Sequence, residues 1–317
     1  MKRNAMLKGI LFACIAMLVL VGCSRPSTTT DTAKGTSTIT ITDVRGEVEI
    51  PENPERIVDL SGNSDILSIL GYKVIGTANS DAYDYTRFPS YLEDILQGAT
   101  ILGYSMQDTM DVEAIMSLNP DLIIISTVQE KMYDQLSNIA PTVMIQLEAL
   151  DWQEDVKALG QVFNKVEVAD AWLANYNIKA KEAGEKLKEI YGENTSYLSF
   201  LASGGQFYVF DGAGFGSVLY QDMGLNKPEG MPEQSDISLP VVTYEGLASI
   251  RSDYIFVLAT EEDLKVLKEN TIWNSLPAVK EGRVLQLSAS PYFIQGYSSI
   301  GREVLLDEIV EMLNETN

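Results

Sequence analysis

The stretch VEVADAWLANYNIKAKEAGEKLKEIY, Val166 to Tyr191, is the longest unbroken helical pattern beyond the N-terminus. Ala169, Trp172, Tyr176, Ala180, Ala183, Leu187 and Ile190 recur in steps of three and four, one stripe of an α-helix. At about 1.5 Å per residue its 24 residues from Val168 to Tyr191 span roughly 36 Å, about the width of a small domain. Gly184 alone interrupts it, at a cost of about 1 kcal/mol. Segments of similar length and pattern lie on either side. That arrangement reads as a stiff bridge between two lobes; the alternative is an ordinary helix packed on one sheet.

On the N-terminal side, Thr38–Thr42 and Val48–Ile50 pattern as a hairpin. Strand patterns at Arg56–Leu60, Lys73–Thr77, Asp121–Ser126 and Thr142–Gln146 then alternate with helical ones, the last being Trp152–Phe163. On the C-terminal side, strands at Tyr197–Ala202, Phe207–Phe210, Tyr254–Leu258 and Arg283–Leu287 alternate with helices at Gly216–Met223, Tyr244–Ile250, Glu262–Lys268 and Ile300–Leu313. Such alternation predicts parallel sheets covered on both faces. One pair of segments repeats. VEAIMSLNPDLIII (112–125) and YEGLASIRSDYIFV (244–257) share Glu, Ser, Asp and Ile at a constant offset of 132. The expectation is an α/β fold of two Rossmann-like lobes with central parallel sheets, residues 38–165 and 192–317, bridged by one long α-helix, 166–191.

Composition narrows the chemistry. Forty-five acids stand against 23 bases, for a net charge of −22. Such a surface is repelled by nucleic acid and by anionic lipid. There is no histidine. That removes Ser-His-Asp and Cys-His triads, His-ligated zinc and a histidine axial ligand to haem. The two cysteines, Cys14 and Cys23, precede the body, which therefore has no disulfide and no thiol chemistry. Residues 1–22 read as a signal peptide. Lys2, Arg3 and Lys8 precede a short apolar run, Gly9–Val21. Leu20-Val21-Gly22-Cys23 resembles the lipobox of bacterial lipoproteins, which implies cleavage before Cys23 and lipid upon it. Residues 23–37, rich in Ser and Thr, read as a disordered tether. The expected location is the extracytoplasmic face of the cell membrane.

The lipobox, the tether and ERIVDL (55–60) together resemble the cobalamin and ferric-siderophore binding proteins of ABC importers. VEAIMSLNPDLIII, YDQLSNIAPTV (133–143), the Trp152–Phe163 and Trp172 helices, YEGLASIRSDYIF and the Ala278–Val284 turn extend the likeness over residues 38 to 315. The resemblance implies two α/β lobes on one long helix, with a shallow ligand cleft that closes little. Residues Gln206 to Gly224 are most similar to Gram-positive ferric-hydroxamate receptors. Those carry a tryptophan and an arginine in the loop before this helix. Here the loop is Asp211-Gly212-Ala213-Gly214-Phe215-Gly216, where Phe215 stands in for the tryptophan and no arginine follows.

Glu113 and Glu245 occupy matched first turns behind the plausible caps Asp111 and Thr243. Each by itself is explained by the helix dipole. The resemblance implies that they are acidic knobs that meet arginines on the two permease subunits. The ligand face is expected at strand C-terminal ends, in the crevice of each lobe. Aromatic residues gather on loops there: Tyr83, Tyr85 and Tyr104 in the first half, and Phe215, Tyr292, Phe293 and Tyr297 in the second. They suit a large, flat, partly apolar ligand with polar edges. Arg87 and Arg302 are candidate cations, although Arg302 on the last helix has solvent exposure as its simpler reading. Gly212-x-Gly214-x-Gly216 lacks the third glycine of a dinucleotide fingerprint, Ser217 taking that place, and reads as a flexible cleft loop.

The function expected is capture of a ferric siderophore, hydroxamate type favoured, and delivery to an ABC permease dimer. No catalytic residue and no protein metal site is expected. There is no cofactor, because the iron arrives already chelated. The expected partners are the siderophore, the permease and, through lipid on Cys23, the membrane; no nucleic acid is among them, and the protein acts as a monomer. Haem or cobalamin binding is the alternative within the family. A secreted carboxylate-based hydrolase and a surface adhesion module are the alternatives outside it.

Overall fold

The computed structural model describes residues 37–146 and 150–315. The signal peptide, Cys23 and the tether as far as residue 36 lie outside the described residues.

The body opens with an antiparallel hairpin, β1 (Thr38–Asp43) and β2 (Gly46–Pro51). The first lobe is then built from β3 (Ile57–Asp59), β4 (Val74–Thr77), β5 (Thr100–Ile101), β6 (Leu122–Ser126) and β7 (Thr142–Ile145). They form one parallel sheet in the order β5-β4-β3-β6-β7. Every residue of β3, β6 and β7 is buried, as strands covered on both faces require.

The second lobe has β8 (Tyr197–Ser203), β9 (Gln206–Val209), β10 (Val241–Val242), β11 (Tyr254–Ala259) and β12 (Val284–Ser288), in the order β10-β9-β8-β11-β12. Here β8, β11 and β12 are parallel, but β9 and β10 run antiparallel to their neighbours. The sheet of this lobe is therefore mostly parallel, with β9 as its antiparallel member. Gly204 and Gly205, both at positive φ, make a two-residue turn that returns β9 directly beside β8. The repeated segments nevertheless occupy equivalent places. Helix Val112–Ser117 leads into β6 and helix Tyr244–Ser249 into β11, and each of those strands lies beside the first strand of its sheet.

Helix Val166–Tyr191 runs unbroken for 26 residues between the lobes. Its buried stripe is Ala169, Leu173, Tyr176, Ala180, Gly184 and Leu187. Relative to the expected stripe it is rotated slightly, so that Ile190 is exposed and Leu173 is buried. Gly184 is a contact point. A Cβ there would overlap the carbonyl oxygen of Met223, which ends a π-helical turn, Val218–Asp222.

A second connection accompanies the long helix. The closing helix Ser299–Glu315 packs on the long helix and also on helix Ser64–Ile69 of the first lobe. The buried carboxylate of Asp65 accepts from the Ser298 hydroxyl at 2.7 Å and from the Ile300 amide at 3.3 Å. A single apolar cluster runs from Ile57 and Val143 through Trp152 and Tyr176 to Phe256 and Leu313. The lobes thus share this cluster, while each also keeps one of its own, around Ile123 and Met144 in the first and around Phe200 and Trp273 in the second.

Candidate functional site

A cavity of about 290 Å³ opens between the lobes. Its first-lobe wall comes from the segments that follow β3, β4 and β5, at the carboxyl ends of those strands. Asp59, fully buried at the end of β3, accepts from the Ser61 amide at 3.0 Å and from the Ser61 and Ser64 hydroxyls at 2.5 and 2.6 Å. Burial still raises its pKa, against the opposing pull of these hydrogen bonds. The network folds the Ser61–Asn63 loop against the cavity. Asn79 holds that loop from the next segment, donating to the Gly62 carbonyl at 2.7 Å.

The aromatic wall is only partly the expected one. Tyr104, Phe293, Tyr297 and Arg302 line the cavity. Burial pushes the Tyr104 phenol up to about 12, so it stays a neutral donor at physiological pH. Tyr85 stacks on Tyr104 from outside, rings 5.5 Å apart and 11° from parallel, and is itself 49% exposed. Tyr83 meets Phe293 edge-on at 6.1 Å. Arg87 pairs with Asp84 at 3.5 Å and donates to Ser290 of the second lobe at 3.1 Å. Ser290 in turn donates to Asp81. Tyr83, Tyr85 and Arg87 therefore form a rim latched across the cleft, beyond the cavity wall itself.

Phe215 and Tyr292 lie elsewhere. Phe215 is fully buried against Phe256, ring centroids 5.2 Å apart, because it sits on a short buried helix, Gly214–Ser217, that follows β9. Tyr292 packs against the main apolar cluster. The Gly212–Gly216 loop, expected to be flexible, is held on several sides. Gln234 accepts from the Gly212 and Ala213 amides, each at 3.1 Å, and Asp211 accepts from the Gln234 amide at 2.9 Å. Gly214 sits at φ +61 with the Tyr297 ring 2.9 Å from where a Cβ would stand. The loop is a support for the cavity wall.

Arg302 is 2% exposed, contrary to the solvent-facing alternative. It donates to Asp222 at 2.6 Å and to Ser217 at 2.5 Å, and its guanidinium lies 4.7 Å over the Trp152 ring. Tyr176 also donates to Asp222, at 2.6 Å. Trp152, which lines the cavity, meets Tyr176 edge-on at 4.9 Å. In the sequence Trp152 is marked only as the start of a helix. Its role is tertiary, because the next helix turns back and presses Trp172 and Tyr176 against it. Asn79, Ser80, Tyr91 and Met106 also line the cavity without any motif that marks them.

Glu113 and Glu245 are exposed on their first turns. Asp111 caps the first helix, accepting from the Glu113 and Ala114 amides at 2.9 and 3.1 Å. Thr243 caps the second, accepting from Gly246 at 3.3 Å. Among the described residues, no group of three or more His, Cys, Asp or Glu could hold a metal ion. No described helix is long and apolar enough to cross a membrane.

Two α/β lobes on a shared helical backbone, with a preformed cavity between them, define a solute-binding protein. Such a protein holds its ligand and performs no chemistry on it. The chain belongs to the periplasmic binding protein family, whose model matches residues 62–291. It is 30% identical over 316 residues to the iron(3+)-hydroxamate-binding protein FhuD of Bacillus subtilis, covering 96% of each chain. It is 29% identical over 287 residues to the probable siderophore-binding lipoprotein YfiY of the same organism, covering 84% of this chain and 86% of that one. Among solved structures it is similar to a FhuD fold-family component of a Fep/Fec-like ferrichrome ABC transporter from B. subtilis. That match has a TM-score of 0.72 at 28% identity, covering 87% of this chain and 100% of the other.

Proposed function

We propose that this protein captures a ferric hydroxamate complex outside the cytoplasmic membrane and hands it to an ABC permease. Its place as the siderophore-binding component of an ABC iron-uptake system rests on family membership and on the relatives named above. The choice of hydroxamate rests on charge. The one arginine of the cavity is already neutralised by Asp222 and sits on an aromatic face. The remaining wall is aromatic, aliphatic, hydroxyl and amide, with Asp155 as the other charged side chain. A ferric trihydroxamate is electrically neutral, since three singly charged hydroxamates balance iron(III). It enters such a cavity without a desolvated net charge. A ferric tris-catecholate carries three negative charges, and burying each unpaired charge costs several kcal/mol.

Docking would use Glu113 and Glu245, one exposed carboxylate on the equivalent helix of each lobe, where charge sets register and encounter rate. Anchoring would use lipid on Cys23. Iron is cargo here, ligated by the chelator.

Trp152 lies in the cavity wall, so its fluorescence reports occupancy. Titration with ferrichrome, a ferric tris-catecholate, haem and a corrinoid is expected to give saturable quenching with ferrichrome alone. Quenching by the tris-catecholate or haem, with none by any ferric hydroxamate, overturns the reading.

A further inference from the structure

Two of the side chains that line the cavity are large, apolar and about half exposed: Met106 of the first lobe, at 47%, and Ile237 of the second, at 48%. Apolar surface left in water is unfavourable, yet a glutamine holds each of them in place. Met106 sits inside a tight turn, closed by the Gln107 amide on the Tyr104 carbonyl at 2.9 Å. The side-chain amide of the buried Gln129 clamps the carbonyls on both sides of it, donating to Ser105 at 2.6 Å and to Gln107 at 2.9 Å. Ile237 is held by Gln234, whose side chain donates to the Ile237 carbonyl at 3.4 Å and accepts from the Gly212 and Ala213 amides. The buried residues of the first-lobe wall include Ser61, Asn63 and Ser80, which are polar. The cavity thus joins a buried wall rich in hydroxyl and amide groups to accessible apolar side chains, one from each lobe.

Resting on the hydroxamate reading, we infer that Met106 and Ile237 form a collar that selects the chelator's scaffold, favouring trihydroxamates whose chelating groups are joined by alkyl chains over those built on a peptide ring. At about 290 Å³ the cavity lies at the lower end of ligand pockets, about 300–1,000 Å³, so a chelate seated in it extends to the accessible side chains. The oxygen-rich iron centre matches the hydroxyls and amides of the buried wall, which leaves the scaffold to the collar. A peptide ring there would set its amides against two apolar side chains, losing water without gaining partners. Methylene chains instead cover Met106 and Ile237 and remove their apolar surface from water. The unbranched, flexible methionine adapts to chains of differing path. Because the two residues belong to opposite lobes, an alkyl scaffold would be gripped from both sides.

The test compares ferrioxamine E, a neutral cyclic trihydroxamate whose spacers are mostly methylene, with ferrichrome, a neutral one carried on a cyclic peptide. Trp152 fluorescence reads both. Wild type is expected to bind ferrioxamine E the more tightly. Met106→Ser with Ile237→Ser is expected to weaken ferrioxamine E by about 10–100-fold and ferrichrome by less than about 3-fold, as loss of two half-buried apolar contacts predicts. Met106→Leu with Ile237→Val stays apolar and should bind ferrioxamine E as wild type does. Both pairs should melt with wild type in the absence of ligand, since the altered side chains stand half in water. Tighter wild-type binding of ferrichrome, equal weakening of both ligands by the serine pair, or an unweakened ferrioxamine E overturns this inference and leaves the hydroxamate reading standing. Binding of neither ligand by the wild type overturns both.

Discussion

The junction of Asp222, Arg302 and Tyr176 makes a quantitative test of how the lobes are held together. Both charged side chains are almost wholly buried, at 4% and 3% exposed. Asp222 sits at the end of the π-helical turn of the second lobe, Tyr176 on the long helix and Arg302 on the closing helix. Asp222→Ala leaves a buried guanidinium with no carboxylate and a phenol with no acceptor. Breaking a buried ion pair from one side costs about 3–5 kcal/mol, and an orphaned phenol adds about 1 kcal/mol. A net loss of roughly 4 kcal/mol is expected, allowing for overlap between the two effects. At about 2–4 °C per kcal/mol for a chain of this size, the melting temperature should fall by roughly 8–16 °C. Urea unfolding followed by circular dichroism measures it. The paired replacement Asp222→Leu with Arg302→Met removes both charges and should lose clearly less than Asp222→Ala alone. A loss below about 1 kcal/mol for Asp222→Ala, or a double variant as unstable as the single one, refutes the assignment of this pair as a structural strut.

Three further outcomes are expected. Gly184→Ala gains about 1 kcal/mol of helix propensity but drives a methyl into the Met223 carbonyl, so urea denaturation should show a net loss of about 2 kcal/mol; a stabilised variant would mean the two helices do not touch there. Burial raises the pKa of Asp65, so the folded state holds its proton at a higher pH than the unfolded chain. The Asp65 contribution to stability therefore grows as pH falls from neutral through the folded pKa. Melting temperatures of wild type minus Asp65→Asn should rise along that descent, and a difference that shrinks contradicts the sign. Glu113→Ala with Glu245→Ala should leave ferrichrome binding unchanged and abolish iron uptake in cells; normal uptake removes the docking role.

Much of the fold was legible because it is written in periodicity. The long helix, the isoleucine-rich β6 and the repeated segments at 112–125 and 244–257 each announce themselves by local pattern. The mixed sheet of the second lobe was less so. Its cue, Gly204-Gly205, is a turn signal, but patterns of apolar residues do not state strand direction. The cavity was legible by location more than by residue. The loop after β5 supplied Tyr104, and the helix Ala289–Gln295 after β12, with the turn that follows it, supplied Phe293 and Tyr297, whereas Phe215 on an equally plausible segment went into the core. An aromatic ring on a glycine-bearing loop has the same sequence signature whether the loop turns outward or inward.

By itself the sequence determined the order of elements and, through its motifs, the family it resembles. Alternating strands and helices on either side of one long helix pointed to two lobes, and the resemblance of its motifs to the siderophore-binding proteins of ABC importers supplied the class. Tertiary structure decided what the cleft is made of. Trp152 became a wall because the following helix folds back on it, and Arg302 became a buried donor because Asp222 and Ser217 arrive from residues some 80 positions earlier. The closing helix became a second tie between lobes through Asp65, more than 230 positions away. Local pattern encodes which face of an element is apolar. Which distant polar atoms share a buried site depends on how all the elements pack, and no local pattern carries that.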